Sequence, residues 1–429
     1  MAAGQGNKIE FQDYNNIYNI IAPVLGRNYG GTASVGYDNS PSASTVAQYA
    51  KISALQWSNL RSDISRCRGH QTGVDLLTNT TTVNGQTPLS LPNPSAQFTA
   101  TCSGTTLVVS AVASGTIQIG SVLSGGSISG TYTITGFISG TNGGIANYQV
   151  TPALSIATAS TVVSTYYIKI TENDRSLYQT MAQAAYDNRI ISPPSSIPAA
   201  RKTTANLIPG GDKTNTGGWS GTIRQTITIS FPQEASATNP ADGAHSTARA
   251  YFNSGSQILF SASFAKNNSE SKNVSWETLC SNLGTIRFGY NSLSITGSAG
   301  SSTATTYSTY SGYTLLPASG AGPSSTELLF KLVINAGSAG TIGQYNPNSI
   351  KLYGKKVNSG GFDILTFVFE FNDDAGSTTP FGRTPAPTDT PVDEPVNGTM
   401  TTSIQAEYAY STTGYITVTP PTGASGTLA

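Results

Sequence analysis

Apolar residues in this chain recur with two different periods, and the change of period divides it. Between Phe11 and Leu25 the spacing is helical: Ile17, Ile20, Ile21 and Val24 share one face, and Pro23 inside the pattern predicts an end or a kink. Ser53-Ala-Leu-Gln56 opens a second helix as a capping box, in which hydroxyl and amide satisfy reciprocal backbone N–H groups. Trp57 docks beside Leu60, Ile64 and Cys67 continue the apolar stripe, and Gly69 supplies a stop. A third helix opens at Thr171-Glu-Asn-Asp174, turns Leu177, Met181 and Ala185 inward, and closes before Pro193-Pro194.

Elsewhere the period is two. Thr106–Ser110, Thr116–Ile119, Thr131–Thr135 and Asn147–Val150 are short Val/Ile/Thr runs separated by glycines, which reads as a small all-β module inserted between the helices. From Trp219 onward the texture is β throughout. Ile227, Ile229 and Phe231 share a face, as do Ile258, Phe260, Ala262 and Phe264, and again Phe367, Phe369 and Phe371. Such alternation marks half-buried antiparallel strands. Pro380 to Pro395 reads as a connector, Gly398–Ile404 and Tyr415–Thr419 as a last strand pair, and the end after Pro420-Pro421 as loose.

The expected fold class is mainly β: several domains of antiparallel β-sandwich with a small helical N-terminal domain. Its expected parts are a helical anchoring region at 1–96, the inserted module at 97–164, a return helix with a Pro/Gly linker at 165–218, a β-sandwich at 219–379, and a connector with terminal strands at 380–429.

Composition sharpens this picture. Only 10% of the 429 residues are charged, against about 25% in an ordinary domain. The 22 acidic and 22 basic side chains cancel, so no basic surplus exists to neutralise phosphates, and nucleic acid is not an expected partner. Phe98 to Val163 contains no charged residue. The 21 tyrosines and 14 phenylalanines argue against disorder. No apolar run approaches the length of a membrane span, and no signal peptide is visible, so cytoplasmic synthesis without membrane insertion is expected. Cys67, Cys102 and Cys280 read as buried free thiols.

The chemistry-bearing patterns are sparse. His70 and His245 stand far apart without zinc spacing, and nucleophile-elbow, P-loop and dinucleotide signatures are missing. No catalytic residue, cofactor or metal is therefore expected. Asp373-Asp374 and Asp389…Glu394 are the best carboxylate clusters, with turn capping as their plain reading. Asn273-Val-Ser and Asn397-Gly-Thr match the glycosylation pattern. Arg61, Arg66 and Arg68 are expected on the exposed side of the second helix. Phe11, Tyr14, Ile17, Tyr18, Trp57 and Arg61 are the candidate anchoring residues. Tyr290, Tyr307, Tyr310 and Tyr313 are candidate surface aromatics, suited to stacking on sugar rings or to anchoring a protein interface.

Several stretches together resemble virion structural proteins of large tailed bacteriophages, those of cyanobacteria and contractile tails above all. They are Phe11-Gln-Asp-Tyr-Asn-Asn-Ile-Tyr with Val24-Leu-Gly26, Ile52 to Asp63 with Gly69-His-Gln-Thr-Gly73, Thr171 to Arg175 with Asp187-Asn-Arg189, and Ala248 to Ser263. Val274 to Leu279 with Gly284 to Gly289, the Asp373-Asp374-Ala-Gly376 turn and Val396 to Thr401 extend the likeness. Ile117–Gly125, Thr133–Gly136 and Asn147–Thr151 resemble a Gly/Thr-rich β repeat of phage tail and fibre proteins. The resemblance implies a non-enzymatic component of the tail, neck, baseplate or fibre periphery. Its partners would be other virion proteins, copies of itself and, in a binding role, a host surface glycan. A host-surface carbohydrate-binding module and a capsid-surface or head-fibre protein are the alternatives.

Overall fold

The computed structural model describes residues 9–26, 36–50, 52–72, 95–125, 128–165, 172–190, 202–231, 247–298, 303–310, 312–317, 327–334, 348–359, 362–373, 395–410 and 416–429. The fold is mainly β, every strand pairing among the described residues is antiparallel, and a small helical region lies at the N-terminus. The chain divides into two compact units. The first holds Met1–Ala22, Pro41–Gly69 and Val74–Asp187; the second holds Pro23–Ser40, His70–Gly73 and Asn188–Ala429.

The first unit holds most of α1 (Phe11–Leu25) and of α2 (Ala54–Thr72) and, after the inserted strands, α3 (Glu172–Asp187). Tyr14, Ile17 and Ile21 of α1 are buried at helical spacing. Pro23 lies inside α1, which ends two residues later at Leu25. The capping box of α2 forms as its sequence predicts: the Ser53 N–H donates to Gln56 Oε1 at 2.7 Å, and the Gln56 N–H donates to Ser53 Oγ at 3.2 Å. Gly69 does not stop α2, which continues to Thr72. Leu177, Met181 and Ala185 of α3 are buried as expected, while the proposed cap Thr171 and the closing prolines lie outside the described residues.

The inserted module comprises β1 (Ser95–Ser114), β2 (Val122–Ser124), β3 (Tyr132–Gly140) and β4 (Ala146–Thr165). The run 116–119 is not a strand. Ile117 instead tucks into the core, its N–H donating to Gly143 O at 3.0 Å. β1 turns back on itself at Gly104, whose φ of +64° suits glycine, so that Ser110 Oγ donates to Thr99 O at 3.2 Å. β3 pairs with the first half of β4, that half with the second half of β1, and the first half of β1 with the second half of β4. That half of β4 also pairs with β2, and β2 with β3, so the sheet curls round into a small barrel. Alternate residues such as Phe98, Leu107, Ile134, Tyr148, Val150 and Val162 fill its interior.

The second unit is a sandwich of two sheets. One is assembled from β5 (Lys202–Asn206), β6 (Lys213–Asn215), β8 (Gln257–Lys266), β9 (Thr285–Phe288), β10 (Leu293–Ile295) and β15 (Gly398–Ala409), in the order β10-β9-β8-β15-β5 with β6 also on β15. The other runs β11-β12-β13-β14-β7-β16, built from β7 (Gly221–Ser230), β11 (Thr303–Tyr307), β12 (Leu328–Ile334), β13 (Ser349–Ser359), β14 (Phe362–Asp373) and β16 (Thr422–Ser425). Their inner faces meet through Phe260, 5.0 Å from Phe367 between ring centroids, and Phe288, 5.1 Å from the same ring.

Four expectations change here. The region after Trp219 is not β throughout, because α4 (Ala248–Asn253) and α5 (Ser271–Leu283) interrupt it. The stretch read as a Pro/Gly linker contributes β5 and β6 to the first sheet. β15 is central to that sheet, pairing along its length with β8 and β5, while the described residues 416–419 form no strand and meet its end through the Val418 N–H, which donates to Ala409 O at 3.1 Å. The last residues are not loose: β16 pairs with β7, and Ala429 exchanges backbone hydrogen bonds with Arg224 at 2.8 and 3.1 Å.

Candidate functional site

The aromatic anchoring candidates hold the subunit's own helices together. The Tyr14 and Trp57 rings meet edge to face at 5.3 Å, and Trp57 meets Tyr178 of α3 at 5.6 Å. Tyr14 Oη donates to Gln56 O at 3.2 Å, and burial, then the Asp63 charge, pushes its hydroxyl up to about 12. Asp63 is itself buried and accepts the N–H groups of Ser42 and Ala43 at 2.9 and 2.8 Å. Tyr14, Ile17 and Trp57 are thus core residues, which corrects their anchoring role: sealed side chains have no surface to offer another protein. Phe11, Tyr18 and Arg61 are half-buried, and so are Arg66 and Arg68, so the expected exposed arginine face of α2 is partly covered.

The four tyrosines do not form one exposed surface. Tyr307 is exposed, at the end of the edge strand β11; Tyr290 and Tyr310 are half-buried. Tyr313 is buried, which corrects its place among the surface aromatics. Its ring stacks on Phe252 at 4.6 Å, its hydroxyl donates to Asp363 Oδ2, and Lys356 Nζ lies 4.5 Å from the centroid of the same Tyr313 ring. Burial, then the Asp363 carboxylate, pushes that hydroxyl well above its usual range.

The remaining sequence candidates are structural as well. Asp373 is no turn cap but a buried carboxylate 2.7 Å from Lys272 Nζ, whereas Asp374 and Asp389 to Glu394 lie outside the described residues. Asn273 is buried, and its Oδ1 accepts the Asn397 N–H at 2.8 Å, so this sequon asparagine is occupied within the fold. His70 is buried, its Nε2 3.0 Å from Ser254 O; His245 lies outside the described residues. All three cysteines are free and buried.

Two surfaces that residue order alone leaves hidden emerge from the pairing registers. One is the barrel, where Val108, Ile119, Phe137, Ile138 and Ile145 stand exposed on a module without a charge. The other is the outer face of the second sandwich sheet. There Thr306, Lys331, Lys351, Glu370 and Arg224 lie directly opposite one another on β11, β12, β13, β14 and β7, a single row across the sheet. Arg224 Nε donates to Glu370 Oε2 at 2.7 Å, and Lys351 Nζ donates to Oε1 at 3.0 Å. Burial works to raise the Glu370 carboxyl, but these two donors outweigh it and hold it below its ordinary value. Alternation marks these positions as outward in the sequence; only the register lines them up.

Among the described residues no cluster of His, Cys, Asp and Glu is suited to hold a metal ion, and no helix is long and apolar enough to cross a membrane. No protein family, curated protein or solved structure matches the chain.

Proposed function

We propose that this chain is a non-enzymatic structural component of a tailed-phage virion, in the tail, neck, baseplate or fibre periphery, acting through contacts with other virion proteins and with copies of itself. The observation that carries this reading is the barrel. A soluble surface ordinarily interleaves charges of both signs, whereas residues 98–163 offer none and present Phe137, Ile138 and Ile145 to solvent. Exposed apolar groups on an uncharged module suit a surface that a neighbouring protein covers, with few charges to desolvate. The motif resemblance supplies the particle, and the barrel supplies the mode of contact.

Immunogold labelling of intact particles with an antibody to the whole chain tests the proposal. Gold at the tail, neck or baseplate is the expected result. Gold over the head would move the protein to the capsid surface. Signal confined to infected lysate, with bare particles, would reject a virion component.

A further inference from the structure

We infer that the outer face of the second sandwich sheet is a binding surface for an acidic polysaccharide. The row of residues across that sheet breaks a pairing rule: Lys331 and Lys351 stand directly opposite each other on neighbouring antiparallel strands, where like charges repel. The chain has only 22 basic residues, so two of them placed face to face are conspicuous. Glu370 compensates Lys351, whereas Lys331 gains no ion pair among the described residues, and a position that violates a local rule without an internal gain is where function is expected.

The charges do not cancel on this face. Among the described residues of the row, Arg224, Lys331 and Lys351 stand against the carboxylate of Glu370. Glu370 is sealed, with 3% of its side chain exposed, and both its oxygens are occupied by Arg224 and Lys351. Lys331 forms no ion pair among the described residues. Arg224 engages Glu370 through Nε and keeps half of its side chain exposed. From Lys331 to Arg224 the row crosses three strand spacings, roughly 14 Å, so an extended polymer lying across the strands would meet successive cations.

The surroundings select the kind of polymer. Thr222, Thr226, Thr228 and Ser230 of β7, with Thr366 of β14, share the outer positions and offer short hydroxyls on a rigid sheet. Protein interfaces concentrate aromatic residues, Met and Arg at their centres and are depleted in Lys and Ser. This face is rich in Lys and hydroxyls, with Arg224, the aromatic ring of Tyr353, whose hydroxyl donates to Glu370 Oε1 at 3.4 Å, and Val333, Ile364 and Val368 also on outward positions. It suits a ligand made of hydroxyls and acid groups, which is an acidic sugar chain.

The test uses the full chain with four immobilised probes: polygalacturonate, heparin, neutral dextran and, as the acidic peptide, poly-glutamate. Binding to both acidic polysaccharides, weakened by added salt, and no binding to dextran are expected. Lys331→Glu should weaken that binding about tenfold with no loss of thermal stability, since it removes a like-charge pair; Lys331→Gln, expected to lose less, guards against a folding defect in the first variant. Failure to bind either acidic polysaccharide at low ionic strength would overturn the inference. So would binding indifferent to both variants, or poly-glutamate binding as tight as polysaccharide, which would assign the face to an acidic protein.

Discussion

Lys272 Nζ lies 2.7 Å from Asp373 Oδ2, and neither side chain exposes more than 3% of its surface. The pair joins the first turn of α5 to the last residue of β14, beside the Trp276 and Phe371 rings. Removing one partner strands a charge in a sealed site, a loss of about 3–5 kcal/mol. Lys272→Met should therefore lower unfolding stability in urea by that amount, while Lys272→Met with Asp373→Leu should recover most of it. A double variant as unstable as the single one would mean that packing, not charge, sets the cost.

Acid should weaken the second sandwich sheet through Glu370. Its carboxyl is held below the ordinary value in the folded chain, so its stabilising contribution is complete above the unfolded value near 4.5 and fades as pH falls through the lower folded value. Glu370→Gln should be less stable than the parent at neutral pH. The difference should shrink toward acid, as denaturant midpoints measured across pH 2 to 7, roughly the carboxylate range, would read.

The three thiols should be silent in the native chain. Burial pushes Cys280 up to about 12 and Cys67 well above its usual value, and all three sulfurs are buried. A thiol reagent at neutral pH should label none of them before denaturation and all of them after it, because the thiolate is the reactive form.

Phe367 is fully buried and touches both Phe260 and Phe288 across the sandwich. Phe367→Ala should cost about 3–5 kcal/mol, the usual range for an aromatic removed from a packed core. A loss below ~1 kcal/mol in a denaturant titration would show that the two sheets do not depend on this contact.

Removing the α2 cap is a milder change. Ser53→Ala deletes the oxygen that accepts the Gln56 N–H and should cost about 0.5–2 kcal/mol. Ser53→Asp should restore most of the loss.

The β faces were legible because a strand's period of two survives any arrangement: Ile227, Ile229, Phe367, Phe369 and Phe371 point inward as their spacing predicts. The α2 cap was legible because its partners are three residues apart. Helix ends were read less well. Gly69 is a stop signal by local propensity, yet α2 continues past it, as packing overrides propensity. α5 carried a legible signal of its own: Trp276, Leu279, Cys280 and Leu283 recur at i, i+3, i+4 and i+7, a helical period inside a stretch that otherwise alternates by two.

Sequence by itself determined the fold class, the inward faces of β7, β8 and β14, and the uncharged character of the inserted module, since each rests on local spacing or on composition. The tertiary structure alone decided which strands are neighbours. Register brings Arg224, Lys331, Lys351 and Glu370, spread over 147 positions, into one row, closes β1 to β4 into a barrel, and seals Tyr14, Trp57 and Tyr313. Those outcomes depend on contacts between residues far apart in the chain. Local spacing carries no information about which distant strand a given strand will meet, because pairing is set by the packing of the whole sheet.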